Sequence, residues 1–399
     1  ILPVQTQSLA DLRQDIYQNN PSLAMLRSTH AADLERIGQT GQLPQPELGL
    51  GAFPLPVATR LGAQQFRLSA TQQLPWWGLR QQERKLTQAR AASTYERINA
   101  RAQTLFHQAE QAYFSLYELQ RSQRIIAERM ALLQSLEQLS LARVENGTAT
   151  AADVLRVQLK ISAQEQELAI LATQIAGPLA TLNQLRNREL TTPVTLTDSL
   201  SFAILPFAKD TLLAHLRNHH PEIRRLAKQQ EAAQIAIDLN TLHAKPKFGI
   251  GLDYIAVGER DDVLLDNNGR DILQLRGTVA IPIFREQYAA KEREERLRIQ
   301  ALDQQKTATA NQFAAQIEQA YAAYETARLR LELYTEQLGL TDAALRILSA
   351  SYRSNGSDFA ELLRLEEERI QLQLEQLSAI VESHQAVSTI QQFILNNEL

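Results

Sequence analysis

The chain repeats itself with a period of 200 residues. Pro21 pairs with Pro221, Pro46 with Pro246, Gly49 with Gly249 and Gly51 with Gly251. The peptide "PELGLGAF" at 46–53 answers "PKFGIGLDY" at 246–254. Apolar positions keep the same offset, as in Leu12 with Leu212 and Leu26 with Leu226. Further on the offset drifts by a few residues: Pro75 answers Pro282, and Asn146-Gly147 answers Asn355-Gly356. An ordered series of matches points to duplication, and the period is far too long for a solenoid. Whatever one half folds into, the other must fold into as well.

Each half reads helix, strand, strand, long helix, turn, helix. The first repeat, 1–199, is expected to hold strands at about 46–57 and 63–76 and a helical hairpin at about 78–189 with its tip near 145–150. The second, 200–399, is expected to hold strands at about 246–258 and 271–284 and a hairpin at about 285–397 with its tip near 354–358. The opening helix, Ser8 to Thr40, carries Pro21 inside it. Proline lacks an amide proton and clashes with the preceding turn, so a break is expected there and at Pro221.

No proline or glycine falls between Leu79 and Glu145. From Leu105 through Ala109, Ala112, Leu116 and Leu119 to Ile126 and Leu133, apolar residues step by four and three, with Gln123 the exception. Phe313, Ile317, Ala320, Tyr324, Ala327 and onward to Leu348 do the same, with Thr341 the exception. Such seams belong to supercoiled helices. A helix of this length runs about 100 Å at 1.5 Å per residue. Both long helices stop at Asn-Gly, residues that tolerate left-handed backbone. A capping pattern follows each stop: Thr150 with Asp153, and Asp358 with Glu361.

The strands alternate strictly. Leu48 and Leu50; Phe66 and Leu68; Phe248, Ile250 and Leu252; and Leu273, Leu275 and Val279 share one side of their strands. Glycine and polar residues take the other. A one-sided soluble sheet would alternate in the same way. The helices, however, already use their apolar stripes in their own seams, and Trp76-Trp77 and Phe284 stand at strand ends, where aromatic girdles lie in membrane barrels. The expectation is a transmembrane β part with these ten apolar residues facing lipid. Four strands cannot close a barrel, and lipid does not tolerate open edges, so several chains must share one.

Composition closes off other classes. Aromatic residues make up 6%, net charge is −4 with both signs interspersed, and there are no cysteines. Nothing basic suggests nucleic acid, and thiolate metal sites and cysteine nucleophiles are excluded. No apolar run reaches the length of a transmembrane helix. No leader is visible before Ile1, so an exported protein would be numbered here as a processed chain. Neither a nucleophile–base–acid set nor a cofactor motif occurs, so an enzyme is not expected. His215, His219 and His220 cluster in "HLRNHHPEI". The duplicate "QNNP" has no histidine in the same place before proline, which argues against a metal site there.

With its duplicated order, two Asn-Gly tips and proline-flanked strand pairs, the chain resembles the TolC-like outer membrane factors over nearly its whole length. "GAFPLPVATRLGAQQFRLSATQQLPWWG" resembles a branch of that family associated with heavy-metal and cation efflux. The resemblance implies a mainly α fold with a small β part: a homotrimer whose 12-stranded barrel continues into a periplasmic coiled-coil tunnel. It implies residence in the outer membrane of a Gram-negative bacterium, with a long periplasmic portion. Its implied partners are outer membrane lipid, a periplasmic adaptor (membrane fusion protein) and an inner-membrane pump of the resistance–nodulation–division type. The implied function is a passive exit duct for small molecules or metal ions, without cofactors. The implied gate comprises Asp153 with Tyr352, and the ring acid Glu361. Asp358 stands where the family's best-known member has arginine, and Arg364 where it has an acid, which puts a second latch and a second acidic ring in doubt. The implied adaptor-docking tips are Asn146, Gly147, Asn355 and Gly356. The competing class is a soluble periplasmic coiled-coil adaptor or scaffold without a barrel.

Overall fold

The computed structural model describes residues 8–196, 199–205, 211–212, 214, 216, 219–262, 266–353 and 359–393. The elements are α1 (Leu9–Asn19), α2 (Pro21–Gln39), β1 (Glu47–Ala52), β2 (Ala58–Thr59), β3 (Gly62–Leu74), α3 (Leu79–Glu145), α4 (Ala151–Gln174) and α5 (Ala176–Leu185). After these come α6 (Pro221–His243), β4 (Lys247–Gly258), β5 (Ile272–Ala280), α7 (Glu286–Arg353) and α8 (Phe359–Gln391). Among the described residues the elements run in the expected sequence, with short β2 and a division between α4 and α5 in addition; most of the second repeat's expected opening helix ahead of Pro221 lies outside the described residues. Strands begin or end within a few residues of the expected bounds, apart from the first, which stops at Ala52.

The repeats are not the compact units. One unit gathers 1–26, 97–223 and 308–399; the other gathers 27–96 and 224–307. Each takes material from both halves, so duplicated segments pack with one another rather than each half with itself.

In the first unit, Pro21 breaks the opening helix and starts α2 afresh. Asn20 caps the new start: its side-chain oxygen accepts from the Ser22 amide at 2.9 Å, and its amide donates to the Leu185 carbonyl at 2.8 Å. The buried core joins Leu12, Ile16, Leu23 and Leu26 to Leu105, Ala109, Leu116, Leu182 and Val381. None of the expected seam residues of α3 or α7 is exposed. The return helix of the first hairpin is interrupted at Ile175, just ahead of Pro178, whereas its counterpart α8 runs 33 residues without a break. Proline again supplies the reason. At the first tip, Gly147 has φ +70. The Thr148 amide reaches the Arg143 carbonyl at 2.8 Å and the Gly147 amide reaches that of Val144 at 3.0 Å, the paired bonds that close a helix on a left-handed residue.

In the second unit the strands form one antiparallel sheet in the order β1-β3-β4-β5, with short β2 against β3. The central pairing, β3 with β4, joins the two repeats: Ser69 lies opposite Asp253 and Ala70 opposite Leu252. Beside the sheet, Leu86 and Ala89 of α3 pack on Ala232 and Ala236 of α6.

Candidate functional site

The register sorts every strand residue onto one of two faces. Across the sheet, Leu48, Ala70, Leu252 and Leu275 form one rung, and Leu50, Leu68, Tyr254 and Leu273 another. This face is open: Leu48 is 78% exposed and Leu275 is 81%. Phe66, Ile250 and Val279 are exposed on it as well. Phe248 and Ala70 are partly covered; Phe248 stacks on Trp76 at 5.9 Å, while Trp77 meets Trp76 edge-on at 5.4 Å. A continuous apolar face of this size is uncommon on a soluble monomer. β1 and β5 are the outer strands, so each has a free edge within the chain.

The opposite face explains why the strand peptide occurs twice. A Cβ on Gly49 would sit 2.6 Å from the Ser69 hydroxyl, and one on Gly249 would sit 2.4 Å from that of Thr278. A Cβ on Gly251 would meet the Arg276 guanidinium at 3.3 Å. Glycine on this face leaves room for polar side chains on the neighbouring strand, which a Cβ would force to shift. Among them, Asp253 lies fully buried between two arginines. Arg67 Nη2 is 2.8 Å from its carboxylate, and Arg276 Nε is 3.6 Å away. Arg276 also donates to Thr71 at 3.1 Å. Strand parity puts Arg67, Asp253 and Arg276 on the side opposite the apolar residues but does not bring them together. Only the register of β3, β4 and β5 does that.

At the hairpin tips, Asp153 serves as a helix cap. Its carboxylate accepts from the Thr150 amide at 3.2 Å and hydroxyl at 2.8 Å, and Arg156 lies 3.6 Å away. Tyr352 is buried. Its ring stacks on Phe359 at 5.0 Å, and the Arg143 guanidinium lies 4.3 Å from its centroid. Arg143 also donates to the Tyr352 carbonyl at 3.1 Å, tying α3 to α7. The Tyr352 hydroxyl is buried without a partner among the described residues. Asp153 and Tyr352 thus each have their own neighbours here, and no bond joins them among the described residues. Glu361 and Arg364 pair at 2.7 Å along α8, with Glu368 at 3.0 Å on the other side of Arg364. The arginine holds the Glu361 carboxyl below its ordinary range. Asn355, Gly356 and Asp358 lie outside the described residues, as does His215.

His220 takes the place that Asn20 has in the first repeat. Its Nδ1 accepts from the Glu222 amide at 3.1 Å, capping α6, while its ring packs on Phe313 at 4.5 Å and on Phe393. Burial lowers its pKa to about 4. The unfolded chain then binds the proton better, so stability is full above about pH 6.5 and falls as pH drops toward 4. The loss reaches about 3 kcal/mol per chain by pH 4. His220→Asn should flatten the fall in Tm between these limits, whatever its effect at neutral pH; an unchanged slope would assign the acid lability elsewhere. Among the described residues, no group of three histidines or acids is placed to hold a metal, and no helix is long and apolar enough to cross a membrane.

The profile of the outer membrane efflux protein family matches residues 12–188. The match spans most of the first repeat and somewhat less than half of the chain. Solved membrane proteins share the fold over nearly the whole chain. CusC aligns over 98% of this chain and 92% of its own at TM-score 0.75 and 14% identity. VceC of Vibrio cholerae aligns over 97% and 95% at 0.72 and 17%. CmeC of Campylobacter jejuni aligns over 97% and 85% at 0.73 and 11%. A search of curated proteins finds no match. The chain therefore has the fold of these solved membrane proteins.

Proposed function

We propose that this chain is the outer membrane exit duct of a tripartite efflux system, built as a homotrimer. One observation carries the reading: a sheet whose four long strands present an open apolar face and two unpaired edges. In lipid the edges must pair. β1 and β5 run in opposite directions within the antiparallel sheet, so β5 of one copy can add to β1 of the next without breaking the alternation. Three copies supply twelve long strands. The helical hairpins supply the periplasmic tunnel, and an adaptor and an inner-membrane pump of the resistance–nodulation–division type complete the pathway. A soluble adaptor accounts for neither the open apolar face nor the second hairpin.

Asp153 and Tyr352 are the proposed entrance latch, with the first tip, Asn146-Gly147, and the second, Asn355-Gly356, as the adaptor's docking points. The buried hydroxyl of Tyr352 has no acceptor among the described residues, a condition that costs about 1–3 kcal/mol and that a carboxylate would relieve. In this reading Asp153 exchanges its Thr150 cap for Tyr352 when the entrance closes. The duct passes what the pump delivers and performs no catalysis. The experiment that tests the assembly is disulfide trapping of β1 against β5, since a chain without cysteines gives no background.

A further inference from the structure

The buried Asp253 has a consequence for what the duct passes. One carboxylate stands between two guanidiniums, so the cluster carries one net positive charge per chain. The carboxylate is fully covered, whereas the Arg67 and Arg276 side chains remain 37% and 38% exposed on the polar face. A solute over this face meets the cations and not the acid. The rest of the face does not offset them. Glu47 and Lys247, its other charged strand residues, are of opposite sign and both start their strands. Between them and the cluster lie Gly49, Gly249, Gly251, Ser69, Thr71 and Thr278, all uncharged.

We propose that Arg67 and Arg276 form an anion-selecting collar in the barrel, with buried Asp253 as the residue that positions them. This rests on the duct reading, in which the polar face lines the lumen. Three copies would place six guanidiniums over three hidden carboxylates in one ring. The ligands it favours are small solutes bearing a carboxylate, phosphate or sulfonate, because guanidinium matches those groups with two parallel hydrogen bonds. Glycine opposite Arg276 keeps its guanidinium pressed to the wall, leaving the centre open for passage. Rings of charged side chains set the ion preference of pores in this way. The collar disfavours free metal cations and so argues against the heavy-metal branch as the source of this duct's cargo.

The test is the reversal potential of the full-length protein in planar bilayers under a potassium chloride gradient. Two variants move the charge in opposite directions. The triple variant Arg67→Gln, Asp253→Asn, Arg276→Gln keeps polar side chains but removes all charge. It should lower the chloride-to-potassium permeability ratio by about twofold or more. Asp253→Asn alone raises net charge by one per chain and should increase the ratio. Either variant that forms channels reads the collar, and a ratio equal to that of the unaltered protein in either one overturns it. If neither the unaltered protein nor Tyr352→Ala, in which the proposed entrance latch is removed, gives any conductance, the duct reading fails and the collar with it. That result differs from a conducting pore indifferent to these residues.

Discussion

Leu252→Arg and Leu275→Arg will each abolish assembled protein in the outer membrane, while Gln274→Arg will leave it near normal. Leu252 and Leu275 lie opposite one another on the apolar face, and Gln274, the residue before Leu275, lies on the polar face. Arginine on the lipid side costs about 2–4 kcal/mol at the midplane of the bilayer. A trimer carries three copies of the change, so the sum is about 6–12 kcal/mol by the same figure, comparable to the whole stability of a domain. The measurement is the amount of oligomer extracted by detergent from outer membrane fractions. Equal yields from Leu275→Arg and Gln274→Arg would mean that the apolar face does not meet lipid.

The second large effect is at the tip. Tyr352→Ala should leave the duct leaky, while Tyr352→Phe should preserve folding. The ring is the centre of a buried cluster with Leu133, Val157, Leu345, Phe359 and Leu363. Truncating a buried aromatic costs about 3–5 kcal/mol. It also removes the surface on which Arg143 sits, a contact worth about 0.5–2 kcal/mol. With the tip loosened, single-channel conductance should rise and cells should become sensitive to large antibiotics. Tyr352→Phe removes only a hydroxyl that has no partner among the described residues, so thermal stability should hold or improve. It still removes the proposed latch, so a modest rise in conductance without loss of stability separates gating from packing. If Tyr352→Ala trimers conduct like the unaltered protein, the tip cluster does not hold the entrance.

Much of this was legible in the sequence because it is local. The heptad seams, the Pro21 break, the Asn146-Gly147 stop and the strand faces depend on residues a few positions apart. The equivalence of Asn20 and His220 followed from the duplication, and a shared capping role is what the structure shows. Register was not legible. The pairing of β3 with β4 sets Ser69 against Asp253, across the junction of the repeats, and no local pattern encodes it. The arginine pair around Asp253 was therefore missed, although each member had been assigned to the correct face. The latch came from resemblance alone. The structure gives Asp153 and Tyr352 neighbours of their own, Thr150 for one and Phe359 for the other. The compact units were illegible too, since each draws segments from both repeats.

The central claim is that copies of this chain close one barrel by pairing β5 of one with β1 of the next. Cysteine at Leu48 or Leu50 on β1, combined with cysteine at Leu273 or Leu275 on β5, tests it directly. All four positions lie on the same face. Within one chain the two edges are three strand spacings apart, roughly 14 Å, too far for a disulfide, so any bond must join different copies. After oxidation in intact outer membranes, at least one double variant should give dimer and trimer bands and nothing larger, while each single variant stays monomeric. Monomer alone in all four double variants, with folded protein present, or a ladder that continues past the trimer, would contradict a closed three-chain barrel.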